Sequence, residues 1–197
     1  MTLTRAPNYL MLILSFVVAL VSYRFVVLGL SMAYPDMPGH IQAHWLAFSL
    51  HVTAAPISLV VGAVQLFPSV RAKRPVLHRW AGRVYGVSVL VAGLSGFIVA
   101  MGAAGGLSAQ LGFGVLSVLW IVTTVQGVRF ARSRQFARHR RWMARSFALT
   151  FAAVTLRLYL PVFFVNGFDY TQASVYVAWI CWIPNLLVVE IWHRKGS

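Results

Sequence analysis

The sequence predicts an all-α integral membrane bundle of six transmembrane helices, with the N-terminus and C-terminus both cytoplasmic. Three observations carry that prediction. Of the 197 residues, 59% are hydrophobic and only 10% charged, whereas soluble domains use about 25% charged residues. Six apolar runs are each about as long as the roughly 20 helical residues needed to cross a bilayer core of about 30 Å. The basic residues gather in alternate connections between those runs.

The runs are residues 9–30, 44–67, 80–101, 107–130, 142–165 and 171–192. Their connections are short, so residues 1–197 read as a single transmembrane helical domain. The first run is longer than a signal-peptide core of about 7–15 residues and is expected to remain as a helix.

The excess of 17 Lys and Arg over three acids gives a net charge of +14. In a soluble protein such a charge would suggest nucleic acid, but here the cations sit between apolar runs, so topology accounts for them and no nucleic-acid partner is expected. Arg71, Lys73, Arg74, Arg79 and Arg83 surround the second connection, and Arg129, Arg132, Arg134, Arg138, Arg140, Arg141 and Arg145 surround the fourth. Connections 31–43, 102–106 and 166–170 contain no Lys or Arg. Arg5 and the tail His193-Arg194-Lys195 fall with the basic set, so one orientation satisfies every loop. A plasma membrane of bacterial inner-membrane type is the expected location.

Small residues and hydroxyls mark packing seams between helices in lipid. Gly82, Gly86, Ser88, Gly93, Ser95 and Gly96 form such a set in span three, and Gln110, Ser117 and Thr124 in span four. In span two, His44, His51, Ser58 and Gln65 recur every seven residues, a narrow polar stripe that His40 could extend, with Pro56 as a kink. The single cysteine, Cys181, lies in an apolar run and reads as a buried thiol.

Two arginines, Arg24 and Arg157, fall inside spans, where insertion costs about 2.5–3.5 kcal/mol each. With His51 they lie about 10 Å in from the outer span ends, at 1.5 Å per residue. No acid shares that level: Asp36 and Asp169 belong to outer loops and Glu190 to the cytoplasmic end. Helix carbonyls, snorkelling towards Asp36 or Asp169, lipid phosphate, or a bound ligand with carboxylate, carbonyl or phosphate oxygens would answer the charge.

The motif Arg-Trp-x-x-Arg occurs twice on the cytoplasmic side, as Arg79-Trp80 to Arg83 and Arg141-Trp142 to Arg145. Arg and Trp at this depth are ordinary interfacial anchors. His78 and His139 accompany the two motifs on spans running in the same direction, and are candidate axial ligands of a haem iron, with nearby arginines for the propionates.

The segments His78-Arg79-Trp80-Ala81-Gly82-Arg83-Val84-Tyr85, His139-Arg140-Arg141-Trp142-Met143-Ala144-Arg145-Ser146 and Thr155-Leu156-Arg157-Leu158-Tyr159-Leu160-Pro161 resemble the predicted membrane proteins of domain-of-unknown-function family 2306. That resemblance implies a multi-pass membrane protein and carries no activity. A weaker likeness is to six-helix b-type cytochromes, including ascorbate-reducible cytochromes and ferric reductases, although spans four and six lack the histidines that would complete their pairs.

Two functions follow as expectations. In the first, the bundle is an electron-transfer component enclosing haem b or a quinone, with His51, His78, His139, Arg24 and Arg157 as cofactor-binding residues and His78 and His139 as iron ligands. In the second, it is a non-enzymatic carrier or accessory subunit that binds an anionic lipid or small anion. Anionic head groups at the cytoplasmic face and membrane protein subunits are its expected partners. Proton-driven transport is less favoured, since no acid lies deep in a span. The chain has no paired carboxylates, phosphate loop or Ser–His–Asp set, so a hydrolytic enzyme is not expected.

Overall fold

The structure, a computed structural model, describes residues 5–35 and 37–195; Asp36 and the side chains of Arg5, Ala6 and His40 lie outside the described residues. Every regular element described is helical. Six segments are long and apolar enough to span a membrane: Pro7–Leu28, Ile41–Gln65, Pro75–Ala100, Gly106–Arg132, Phe136–Val165 and Tyr170–Lys195. Each overlaps one of the runs read from the sequence.

Three spans are broken where the sequence reading made them continuous. Span one is α1 (Arg5–Ser22), followed after a turn at Tyr23 and Arg24 by α2 (Phe25–Leu28) and, past Gly29, by α3 (Leu30–Ala33). Gly29 sits at φ 75 and ψ 162, a conformation essentially confined to glycine, so it redirects the chain. Span two is α4 (Pro38–Gln65), whose backbone leaves helical geometry at His44. Two short steps, α5 (Pro68–Lys73) and a turn, lead into span three, α6 (Pro75–Ala100), and α7 (Gly106–Arg132) is span four. Span five divides at Phe151 into α8 (Phe136–Thr150) and α9 (Ala152–Val165). Span six divides at Cys181 and Trp182 into α10 (Tyr170–Ile180) and α11 (Ile183–Lys195).

The breaks in spans five and six face each other. Thr155 donates to the Cys181 carbonyl at 2.5 Å, and the Asn185 amide donates to that carbonyl at 3.0 Å and to the Ala148 carbonyl at 3.3 Å. Carbonyls released by a broken ladder have no water to turn to in lipid, so side chains must take them up.

Bundle packing centres on spans two to six. A core formed by Ala54, Tyr85, Val89, Ala92, Trp120, Leu149, Ala152, Val177, Cys181 and Trp182 draws on all five. Span one lies at the edge, with 17% of its apolar window buried against 50% for span two. Large apolar side chains point outward instead of inward, among them Val27 at 87% and Val165 at 88% exposure. In water such a surface would aggregate, whereas acyl chains solvate it.

Close approach in the core is set at a few positions. A Cβ on Gly62 would come within 2.7 Å of both the Phe147 and Tyr85 rings, so span two reaches spans three and five only because that residue has no side chain. Gly93 accommodates Ile121 and Gly96 accommodates His51 in the same way, which agrees with the seam read in span three. Cys181 is fully buried, as its apolar setting suggested.

Two groups of polar residues at opposite ends of the bundle

The end opposite the basic loops contains Arg24, His51 and Arg157. Span one stops being α-helical at Ser22, which turns Arg24 back over its own helix end: Nη1 donates to the Val21 carbonyl at 3.2 Å and Nη2 to the Ala33 carbonyl. Its guanidinium also lies 4.7 Å from the centroid of the Tyr34 ring, a contact that favours the cation without a counter-charge. The Tyr34 hydroxyl in turn donates to the Ser22 carbonyl at 2.9 Å.

Arg157 approaches the same serine from span five. Nη1 donates to the Ala153 carbonyl at 2.9 Å and Nη2 to the Ser22 hydroxyl at 3.0 Å, while that hydroxyl donates to the Val18 carbonyl at 2.7 Å. Both guanidinium groups act electrostatically on Tyr34. All their hydrogen-bond acceptors are neutral, and among the described residues no carboxylate forms an ion pair with either. Asp169 is committed elsewhere: its side chain accepts from the Gln172 backbone at 2.8 Å, capping α10. The snorkelling route towards Asp169 is therefore replaced by carbonyl and hydroxyl contacts, and the route towards Asp36 lies outside the described residues.

His51 is deeper and belongs to the seam between spans two and three. Its Nδ1 is 2.8 Å from the Ala92 carbonyl. Since a carbonyl only accepts, Nδ1 carries the proton and a neutral His51 keeps its lone pair on Nε2. The seven-residue stripe of span two holds in part: Gln65 donates to the His78 carbonyl at 3.0 Å and Ser58 to its own helix at Ala55, but His44 is exposed at the kink. A residue that leaves helical φ/ψ no longer follows the 100° rotation on which the stripe depends.

His78 and His139 share the basic end, in the first turns of α6 and α8. His139 Nδ1 donates to the Gly127 carbonyl at 2.8 Å, which again leaves Nε2 as the lone-pair nitrogen. His78 Nδ1 and the neighbouring Gln65 Oε1 are both buried without a hydrogen-bond partner, uncommon for buried polar atoms. Among the described residues no group of three His, Cys, Asp or Glu is arranged to hold a metal ion. The acid of this end, Glu190, accepts from Arg145 Nε at 2.5 Å and Nη2 at 2.9 Å, a two-pronged carboxylate fork.

Between the two ends runs a polar network that the sequence reading missed. Tyr85 hydrogen-bonds the hydroxyls of Ser146 and Thr150, each at 2.7 Å; Trp120 Nε1 donates to Thr150 at 2.8 Å, and Thr124 meets Ser146 at 2.6 Å. Thr150 and Thr124 donate onward to the Ser146 and Trp120 carbonyls. Five protons serve these six contacts, so the hydroxyls share them among alternative partners, and the network ties spans three, four and five together. The available signal was the four-residue spacing of Ser146 and Thr150, which places both on one helical face.

Large apolar side chains on the exterior and six spans long and apolar enough to cross a membrane define an integral membrane protein of the multi-pass helical class. The family described as "Predicted membrane protein (DUF2306)" matches residues 48–193, and the chain belongs to it. Comparison with curated proteins and with solved structures returns no match.

Proposed function

We propose that the protein is a non-enzymatic membrane component that holds an anionic amphiphile at the end of the bundle opposite its basic loops. The observation that supports this reading is the convergence of Arg24 and Arg157 on Ser22 and Tyr34 without a carboxylate among the described residues. Each guanidinium offers five donors in a planar fork, and Arg157 spends hydrogen bonds on only one carbonyl and one hydroxyl. A carboxylate or phosphate with two oxygens would supply the charge that no described residue provides, and apolar chains would follow the exposed flanks of spans one and five. By the distribution of cations, this end faces away from the cytoplasm.

Mass spectrometry of lipids and metabolites retained by detergent-purified protein tests the reading. Arg157→Leu should lose one anionic species that the native protein carries, while inserting normally. An unchanged set of retained molecules would overturn it.

A second reading, electron transfer through haem b or a quinone, is favoured by the histidine tautomers. His51 and His139 both direct Nδ1–H at a backbone carbonyl, the arrangement that orients ligating histidines and frees Nε2. His78 with His139 would then hold iron, or His51 with Arg157 a quinone carbonyl. Protein from haem-replete cells should show a Soret band that is lost in His139→Ala, and a colourless preparation would sink the haem version.

A further inference from the structure

The two Arg-Trp-x-x-Arg motifs adopt one conformation but have different surroundings. In each, the second arginine lies over the motif's tryptophan, Arg83 at 4.6 Å from the Trp80 ring centroid and Arg145 at 4.9 Å from that of Trp142. Such a contact holds the guanidinium near the ring, while its planar set of N–H donors can serve a further partner. On α8 the fork of Arg145 is filled by the two oxygens of Glu190. On α6 no carboxylate among the described residues reaches Arg83. Trp80 there forms one wall of an open groove of about 490 Å³, lined also by Lys73, Arg74, Pro75, Val76 and Leu77.

We propose that the phosphate of an anionic phospholipid binds at the Trp80 edge of this groove, its oxygens taking on Arg83, which lies over Trp80 without itself lining the groove, the place that Glu190 takes on Arg145. Lys73 and Arg74, which also line the groove, supply further positive charge, and neither has a carboxylate partner among the described residues. Val76 and Leu77, exposed at 57% and 52%, give the groove an apolar part of its lining. A free ion has no use for that part, whereas a lipid has one for both. This site lies at the opposite end from Arg24 and Arg157 and is independent of the ligand there.

Native mass spectrometry of the purified protein, titrated separately with phosphatidylglycerol and phosphatidylcholine, tests the proposal. The native chain should bind phosphatidylglycerol about tenfold more tightly than phosphatidylcholine, and Arg83→Gln should weaken that binding about fivefold. Arg83→Lys, which keeps the charge but not the fork, should fall between the two. Arg140→Gln, removing an exposed arginine from the same end, should bind as the native chain does. Equal binding of the two lipids, equal loss in the Arg83 and Arg140 variants, or displacement of the lipid by inorganic phosphate would each overturn it. Arg83 is exposed, so these variants should unfold at the native temperature, and Arg83→Lys provides the reading if Arg83→Gln does not.

Discussion

Arg157 donates through Nη2 to the hydroxyl of Ser22 at 3.0 Å, and so joins span five to span one at the point where the first helix ends. Span one lies at the edge of the bundle, where it also meets span two through the Tyr23 hydroxyl, which donates to the Thr53 carbonyl at 2.7 Å. The bond to Ser22 positions the arginine and anchors the helix together. Ser22→Ala should lower retention of the proposed anionic ligand about threefold, the effect of one interhelical hydrogen bond in a membrane. Arg157→Lys should reduce it further, because a single ammonium cannot bond Ala153 and Ser22 and also offer a fork. Retention equal to that of the native chain in both variants would remove Ser22 and Arg157 from the ligand's surroundings.

Tyr85 is the shared partner of Ser146 and Thr150, and its ring also fills the space above Gly62. Tyr85→Phe keeps the ring and removes only the hydroxyl. The expected cost is about 1 kcal/mol, the range found for interhelical hydrogen bonds inside membranes. Unfolding in mixed detergent measures it, and Thr150→Val, which removes a partner of both Tyr85 and Trp120, should cost at least as much.

Two glycines in neighbouring spans should respond differently to a methyl group. At Gly62 a Cβ would stand 2.7 Å from the Phe147 and Tyr85 rings, whereas at Gly86 the nearest atom is Val128 Cγ2 at 3.9 Å. Gly62→Ala should cost about 1–3 kcal/mol through overpacking. Gly86→Ala should be neutral or slightly stabilising, since alanine is the better helix former. Thermal unfolding of the two variants side by side decides the matter, and equal melting temperatures would contradict the packing described.

The six spans were legible because length and hydropathy alone specify them, and the position of the cations assigned their loops. The approach of Arg24 and Arg157 to each other at one end was legible for a related reason, since helical rise converts residue number into depth, whereas His51 lies deeper, bonded to Ala92. The helix breaks were not legible, because no Gly or Pro marks Phe151, and at Cys181 the only cue is Pro184, three residues on. What stabilises those breaks is tertiary, Thr155 and Asn185 reaching across to released carbonyls. Tyr85 escaped notice similarly, since one aromatic hydroxyl in an apolar run shows its role only when Ser146 and Thr150, more than sixty positions away, are brought to it.

Glu190 supplies the acid of the ion pair that closes span five against span six at the basic end. The two side chains remain 24% and 35% exposed, so water and salt moderate the pair. Its contribution should fall within about 1 kcal/mol, the ordinary range for pairs open to solvent. Glu190→Gln keeps an acceptor oxygen but loses the charge and one prong of the fork, and should lower the melting temperature at low ionic strength. In about 1 M salt, where the screening length is about 3 Å, most of that difference should vanish. Glu190→Lys would instead place a cation beside Arg145, and its deficit at low salt should exceed that of Glu190→Gln. Melting curves of the three proteins at both ionic strengths test this: a deficit for Glu190→Gln that does not change with salt would mean that the carboxylate acts by packing rather than by charge.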